Sequence, residues 1–346
     1  MNFTNQLLQW YHYHKRELPW RNTTNPYYIW LSEVILQQTR IEQGLPYYEA
    51  FVHHFPELKN LALAEEGAVL KLWQGLGYYS RARNLHHTAK TIYFDLNNQF
   101  PNQYKEIIKL KGIGPYTAAA IASFAFKEPV GVVDGNVFRV LSRFFGIFDD
   151  VSSGKTRTVF QDLINELISK EQPDLFNHAI MDFGATVCTP AQPKCTDCPF
   201  QNGCYAFQKN EISQLPVKNK KISVKNRYFH FVLFRSQGKI AIEQRLEKDI
   251  WHKLYQFPLE ETLTGNEEEF FNQLVASYPD APIKKLTTNS IRHKLSHQQL
   301  HIDFYEIELK KPNKKQHFVT IAEIEKYAFP IVLWNFIKEY LGLKKN

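Results

Sequence analysis

Leu110-Lys111-Gly112-Ile113-Gly114-Pro115-Tyr116-Thr117-Ala118-Ala119-Ala120-Ile121 carries a Gly-x-Gly turn that opens an Ala-rich helix. Glycine permits close backbone approach, and the first turn of a helix offers unpaired N–H groups at the positive end of its dipole. Gly112 and Gly114 therefore suit a phosphate clamp that needs no side-chain charge. The preceding Gln103-Tyr104-Lys105-Glu106-Ile107-Ile108-Lys109 reads as helix and no third glycine follows, so this is not a dinucleotide fingerprint. Taken alone, the stretch is equally an ordinary helix–turn–helix joint.

Working outward, Val132-Val133-Asp134-Gly135-Asn136-Val137 puts Asp134 between an apolar stretch and a helix start, the place of an N-cap. Residues 30–38, 67–76, 117–126, 136–145 and 156–168 are helix-length segments bounded by Gly, Pro or Asp. Nothing up to residue 205 alternates with period two for long. The first part of the chain is predicted to be mainly α.

The cysteines add a second mark. The chain has four, Cys188, Cys195, Cys198 and Cys204, in the spacing C-x6-C-x2-C-x5-C. A disulfide framework scatters its cysteines to staple distant segments, whereas this gathering points to a metal site. Zinc ribbons use two separated CxxC pairs, which this uneven wrap matches poorly, although a zinc knuckle remains an alternative. Four thiolates in one short loop suit a 4Fe–4S cluster. Such a loop presents Lys194 or Gln192 toward phosphates.

A formal charge of +7 over 346 residues favours a polyanionic partner. No run approaches the about 18 apolar residues of a membrane span, and Met1-Asn2-Phe3-Thr4-Asn5-Gln6 lacks the plan of a signal peptide. The expectation is a cytoplasmic, nucleoid-associated protein without a membrane partner.

The texture changes after residue 205. Lys218-Asn219-Lys220-Lys221-Ile222-Ser223-Val224-Lys225-Asn226-Arg227, following Pro216, reads as a polar linker. Beyond it, Phe229 to Arg235, a Ser-Gln-Gly turn and Ile240 to Gln244 predict a β-hairpin. Residues 267–278 predict a helix, 300–309 alternate like a half-buried strand, and Pro330 opens a last helix through Tyr340. The expected division is 1–216, a linker 217–228, and an α+β domain 229–346, with the cysteine loop at 188–204.

A Gly-x-Gly hairpin, then an Asp, then C-x6-C-x2-C-x5-C resembles the helix–hairpin–helix endonuclease III superfamily of DNA glycosylases. Trp30-Leu31-Ser32-Glu33-Val34-Ile35-Leu36-Gln37-Gln38-Thr39 and Gly75-Leu76-Gly77-Tyr78-Tyr79-Ser80-Arg81-Ala82-Arg83-Asn84-Leu85 look like the MutY adenine glycosylase family. The resemblance runs from about residue 10 to 205 and more loosely into the second domain. It implies a monomeric base-excision repair enzyme that flips adenine out of double-stranded DNA, from A:8-oxoguanine or A:G mispairs, and cuts its glycosidic bond.

Such a reaction needs a proton for the leaving base and a stabiliser for an oxocarbenium-like sugar, the division of labour of paired carboxyl groups. Glu33 lies among apolar residues, which raise a carboxyl pKa toward neutrality. Asp134 at a helix N-terminus is expected to stay ionised. The resemblance makes Glu33 the acid and Asp134 the group that stabilises or holds the sugar. Tyr116 occupies the place where bifunctional relatives carry a lysine, and a phenol forms no Schiff base. Base removal without efficient strand cleavage follows. Tyr116 is left to hydrogen-bond Asp134 or the sugar-side intermediate, and Asn136 to partner Asp134 or the attacking water.

Gln38 and Tyr78 match the family's wedge positions beside the damaged guanine, and Arg21 in Pro19-Trp20-Arg21 is placed to reach the adenine. Trp251-His252-Lys253-Leu254-Tyr255-Gln256-Phe257-Pro258 is similar to the Nudix-like domain of MutY proteins. The segment after it has Glu267-Glu268-Glu269 but no Arg-Glu pair of a hydrolase box, so recognition rather than hydrolysis is expected. His293-Lys294-Leu295-Ser296-His297 aligns with the family segment that reads 8-oxoguanine, with Ser296 and His297 as the readers. Leu295 stands where the family has an aromatic. Two rivals compete: a bifunctional thymine-glycol-type endonuclease, against which Tyr116 speaks, and a non-catalytic iron–sulfur electron carrier or regulator, against which the Glu33–Asp134 pair speaks.

Overall fold

The computed structural model describes residues 2–219 and 223–342. Residues 220–222, inside the expected linker, and residues 1 and 343–346 at the ends of the two expected domains lie outside the described residues. Backbone proximity divides the chain into two compact units, Met1–Leu63 with Asn84–Lys220, and Ala64–Arg83 with Lys221–Asn346. Among the described residues, no helix is long and apolar enough to cross a membrane.

The chain opens with α1 (Phe3–His14), α2 (Pro26–Ile35), α3 (Ile41–His54) and α4 (Leu58–Leu63). Then come α5 (Glu66–Leu72), in the second unit, and α6 (Ser80–Lys90), which has residues in both. The first unit continues with α7 (Tyr104–Ile107), α8 (Pro115–Phe126), α9 (Gly135–Phe145), α10 (Gly154–Leu167), α11 (Pro173–Thr186) and α12 (Tyr205–Gln208).

Asn25 caps α2 by accepting the Tyr27 N–H at 3.0 Å, and Pro26 pre-sets its first turn. All residues from Ile29 to Ile35 are buried, so this is a core helix rather than a surface one. It stops three residues short of the expected end, and the chain turns away through Gln38, whose φ is 56°. α8 is buried from Thr117 to Phe124 and packs against α2.

The helix expected over 103–109 is reduced to the single turn of α7. In the hairpin after it Gly112 has φ 80°, and a Cβ there would lie 2.5 Å from the Cβ of Asn84. Both handedness and space demand glycine at that position.

α11 was not among the segments picked out by periodicity. Phe176, Ala179, Ile180, Phe183 and Gly184 form its buried stripe, and His178, Met181, Asp182 and Ala185 lie on the opposite face. At Gly184 a Cβ would come within 2.7 Å of the Asn136 Cβ, so the missing side chain lets α11 lie against the start of α9.

In the second unit the strands are β1 (Lys225–Ser236), β2 (Lys239–Gln244), β3 (Tyr255–Gln256), β4 (Leu259–Thr262), β5 (Ile283–Lys285), β6 (Ile291–Lys294), β7 (Gln298–Glu308) and β8 (His317–Thr320). The helices are α13 (Glu267–Ser277), α14 (Ile321–Ile324) and α15 (Ile331–Tyr340). The sheet runs β3-β2-β1-β7-β5, with β4 also on β1, β6 on β7 and β8 on β2.

β1 and β7 pair in parallel, from Lys225 opposite Gln298 to Arg235 opposite Glu308, and the other pairings are antiparallel. The predicted β1–β2 hairpin closes through Gln237 and Gly238 at φ 52° and 74°, the left-handed pair that a two-residue hairpin favours.

β7 differs from its expected half-buried reading. Its Tyr305 and Ile307 pack with Val232 and Phe234 of β1 under Phe270 and Leu274 of α13. On its other face Phe304 stacks on Phe336 of α15 at 3.6 Å. Covered on both sides, the strand is apolar at positions of either parity.

Candidate active site

A cavity of about 1440 Å³ opens in the first unit. Its walls come from the turn before α2 (Trp20, Arg21), the end of α2 (Glu33, Gln37, Gln38), the starts of α8 (Gly114, Tyr116) and α9 (Asp134, Asn136), and α11 (His178, Met181). Residues far apart in sequence thus meet around one space large enough for a nucleoside.

Glu33 is buried on α2, and burial pushes its carboxyl up to about 7. The Tyr116 hydroxyl, within hydrogen-bonding reach, pulls it down, Asp134 pushes it up and Arg21 pulls it down. Tyr116 thus acts on Glu33 through its electrostatics, while its hydroxyl donates to Met181 Sδ at 3.8 Å.

Asp134 caps α9. Its Oδ1 accepts the Val137 N–H at 2.8 Å and its Oδ2 accepts Asn136 Nδ2 at 2.8 Å. These bonds, with Arg139 nearby, lower its pKa, yet burial outweighs them and the net direction is upward. The sequence reading weighed the helix terminus and not the depth at which it is set. Asn136 is held in turn by Arg139, whose Nη2 donates to Asn136 Oδ1 at 2.8 Å and to the Gly184 carbonyl at 2.6 Å.

Arg21 lies on the cavity wall with its guanidinium paired to Asp182 at 2.6 and 2.7 Å. Arg16 pairs with the same fully buried carboxylate. His178 stacks on Phe124 at 3.8 Å, and burial, reinforced by Arg21, pushes its imidazole down to about 3, so it is neutral. Sequence reasoning missed Arg16, His178, Met181 and Asp182. The signal was available, since Pro173 followed by an apolar stripe marks α11 as a helix with one face left over.

Gln38 is exposed at the cavity edge. Tyr78, in the second unit, is also exposed and also has a left-handed backbone, φ 46°. Its loop is held by Trp73 Nε1 donating to the Gly77 carbonyl at 3.0 Å and by Arg81 reaching the same carbonyl at 3.3 Å. Within that unit the Tyr78 hydroxyl is hydrogen-bonded to Ser296 Oγ. Ser296 and His297 are the exposed tip of the loop between β6 and β7, closed by the Leu295 N–H donating to the Gln298 carbonyl at 2.8 Å. In the same unit the Glu267 carboxylate is engaged by Lys285 and by Ser290.

The four cysteines line one small pocket with Phe3, Phe144, Phe183 and Phe200 and with two cations, Arg143 and Lys194. Burial pushes the thiols of Cys195, Cys198 and Cys204 up, Cys198 to about 11. Arg143 Nη1 lies 3.5 Å from Cys188 Sγ, and Arg139 Nε donates to the Cys188 carbonyl at 2.6 Å. Among the described residues, no three His, Cys, Asp or Glu side chains are placed to hold a single metal ion.

Residues 31–166 match the model of the HhH-GPD superfamily base excision DNA repair proteins, and residues 229–339 match a NUDIX domain. An adenine DNA glycosylase of Buchnera aphidicola subsp. Baizongia pistaciae is 37% identical over 87% of this chain and 84% of its own length. Another, of Buchnera aphidicola subsp. Acyrthosiphon pisum, is 31% identical over 99% of this chain and 98% of its own. Among solved structures, a thermostable thymine-DNA glycosylase is 28% identical with a TM-score of 0.56, covering 60% of this chain and 95% of that one.

Proposed function

The chain belongs to the adenine DNA glycosylase family, and we propose that its cavity takes an adenine flipped out of double-stranded DNA, from a mispair with 8-oxoguanine or guanine, and hydrolyses its N-glycosidic bond. The observation that carries this reading is Glu33, a buried carboxyl held near pKa 7 on the same cavity as Asp134.

Adenine is a poor leaving group until protonated. A carboxyl with a pKa near 7 is populated in its acid form at neutral pH and is still acidic enough to give its proton up. Glu33 supplies that proton. Asp134, tied down by Val137 and Asn136, stabilises the oxocarbenium-like sugar or traps it covalently at the anomeric carbon. Asn136 positions that carboxylate. Tyr116 keeps Glu33 oriented, and as a phenol it leaves the enzyme monofunctional. Arg21, locked by Asp182, faces the base.

Gln38 and Tyr78 enter the duplex as wedges. Both are exposed with left-handed backbones, a strain that tends to be kept where function requires it. Gly112 and Gly114 let the hairpin backbone approach a phosphate. Ser296 and His297, at an exposed hairpin tip, read the base opposite adenine, with Leu295 giving less stacking than an aromatic.

Cys188, Cys195, Cys198 and Cys204 would hold a 4Fe–4S cluster. The four cysteines share one pocket, and Arg143 Nη1 lies 3.5 Å from Cys188 Sγ, a cation beside the sulfurs of an anionic ligand set. When bound, the cluster ties residues 188–204 into one loop, and four cysteine ligands leave no iron open to substrate. We assign residues 1–216 to catalysis, 217–228 to the linker and 229–346 to lesion recognition, although β1 already begins at Lys225 within that linker and Ala64–Arg83 group with the second unit. The protein is taken to act as a monomer in the cytoplasm, at the nucleoid.

The test is direct. Duplexes with adenine opposite 8-oxoguanine, guanine or thymine are incubated with the protein and then heated in alkali. Strand breaks confined to the first two support the reading. Breaks without alkali, or equal breaks opposite thymine, overturn it.

A further inference from the structure

Apart from Met1, Met181 is the sole methionine of the chain. It stands half-buried on α11 in the cavity wall, with its Sδ 3.8 Å from the Tyr116 hydroxyl. That hydroxyl is also within reach of the Glu33 carboxyl and has one hydrogen to give. A thioether is a weak acceptor, so the carboxyl holds the stronger claim. The balance depends on the sulfur remaining unoxidised.

We propose that Met181 is an oxidation site through which hydroperoxides reversibly depress base excision. The sulfur lone pair attacks one peroxide oxygen and a new S–O bond forms as the O–O bond breaks. Sulfur is oxidised by two electrons and each peroxide oxygen is reduced by one; the leaving oxygen takes the O–O bonding pair and the proton given up by the oxygen now on sulfur, and departs as water or an alcohol. The thioether becomes a polar sulfoxide whose oxygen is a strong acceptor.

Two consequences follow from position. The sulfoxide oxygen competes for the Tyr116 hydrogen and draws it from Glu33, and it occupies space on the wall of the cavity. The charged and titratable groups that bear on Glu33 are Tyr116, Asp134 and Arg21, and only Tyr116 is in contact with the sulfur. Losing the Tyr116 bond removes a contribution that lowers the Glu33 pKa, so the carboxyl titrates at higher pH after oxidation. This effect on rate rests on the reading of Glu33 as the proton donor. The oxidation itself does not, and neither does its repair by a methionine sulfoxide reductase.

The experiment uses the full chain with its metal content intact, treated with dilute hydrogen peroxide. Peptide mass gives the oxygen added at Met181, and single-turnover adenine release is measured over a pH series before and after treatment. The expected result is an about tenfold fall in rate that tracks Met181 oxidation, the loss of one hydrogen bond that orients the Glu33 carboxyl. The alkaline limb moves to higher pH, and the reductase restores both. For Met181→Leu the treated and untreated rates are equal. Equal loss in Met181→Leu, loss that the reductase does not reverse, or undiminished release with Met181 fully oxidised overturns the proposal. Failure of the untreated protein to release adenine would instead sink the earlier reading of the site.

Discussion

Asn136 Nδ2 donates to Asp134 Oδ2 across 2.8 Å while its own Oδ1 accepts from Arg139 at the same distance. The amide is thereby fixed in one orientation, because its oxygen is claimed by a cation and only its NH₂ is left to face the carboxylate. Replacing Asn136 with Ala leaves the Val137 cap in place and frees Oδ2. The expected cost is about 1.5–3 kcal/mol of transition-state stabilisation, a rate loss of about ten- to a hundredfold, with KM little changed. Single-turnover kinetics on mispaired duplex check it.

The pH dependence of excision should carry the mark of Glu33. A folded pKa raised to about 7 means that the acid form is present below that value and is lost as pH rises through it. Release of adenine should fall above pH 7, toward tenfold per unit. Tyr116→Phe removes the donor that pulls Glu33 down, so its limb should lie at higher pH. A limb at the same pH in both proteins would remove Tyr116 from the account.

Linkage gives the same carboxyl a stability signature. The folded state holds the Glu33 proton more tightly than the unfolded chain, so the associated stability is present below pH 4.5 and is lost as pH rises through 7. Glu33→Gln should raise the melting temperature at pH 8 and not at pH 4. The difference is on the order of 3 kcal/mol.

Asp182 pairs with two guanidinium groups from a fully buried position. Its replacement by Asn leaves the Arg21 guanidinium buried without its counter-charge and with one acceptor fewer. A loss of about 3–5 kcal/mol is expected, read from the denaturant midpoint.

If the cysteine pocket holds iron, the purified protein should contain iron and acid-labile sulfide, and Cys198→Ser should lower both. Limited proteolysis should then cut between residues 188 and 204, which the bound group otherwise ties down. Full metal content in the Ser variant would count against the ligand set.

The legible parts of this molecule were the local ones. Gly112 and Asp134 are fixed by turn handedness and capping, each decided within a few residues. The pairing of Arg21 with Asp182 spans 161 positions, and no local pattern announces it. The meeting of Tyr116, Glu33 and Asp134 around one cavity needed three chain segments brought together. For β7, the alternation seen at its ends hid a strand covered on both faces, because alternation reports one packed layer and two were present.

Asp134 holds two posts at once: it closes the first turn of α9 and presents a carboxylate to the cavity. A truncation there removes the cap and the charge together, so a loss of activity could not be assigned to either. Asparagine keeps the acceptor that caps the helix while removing the negative charge. Folding and chemistry can therefore be separated at this residue by the choice of replacement alone.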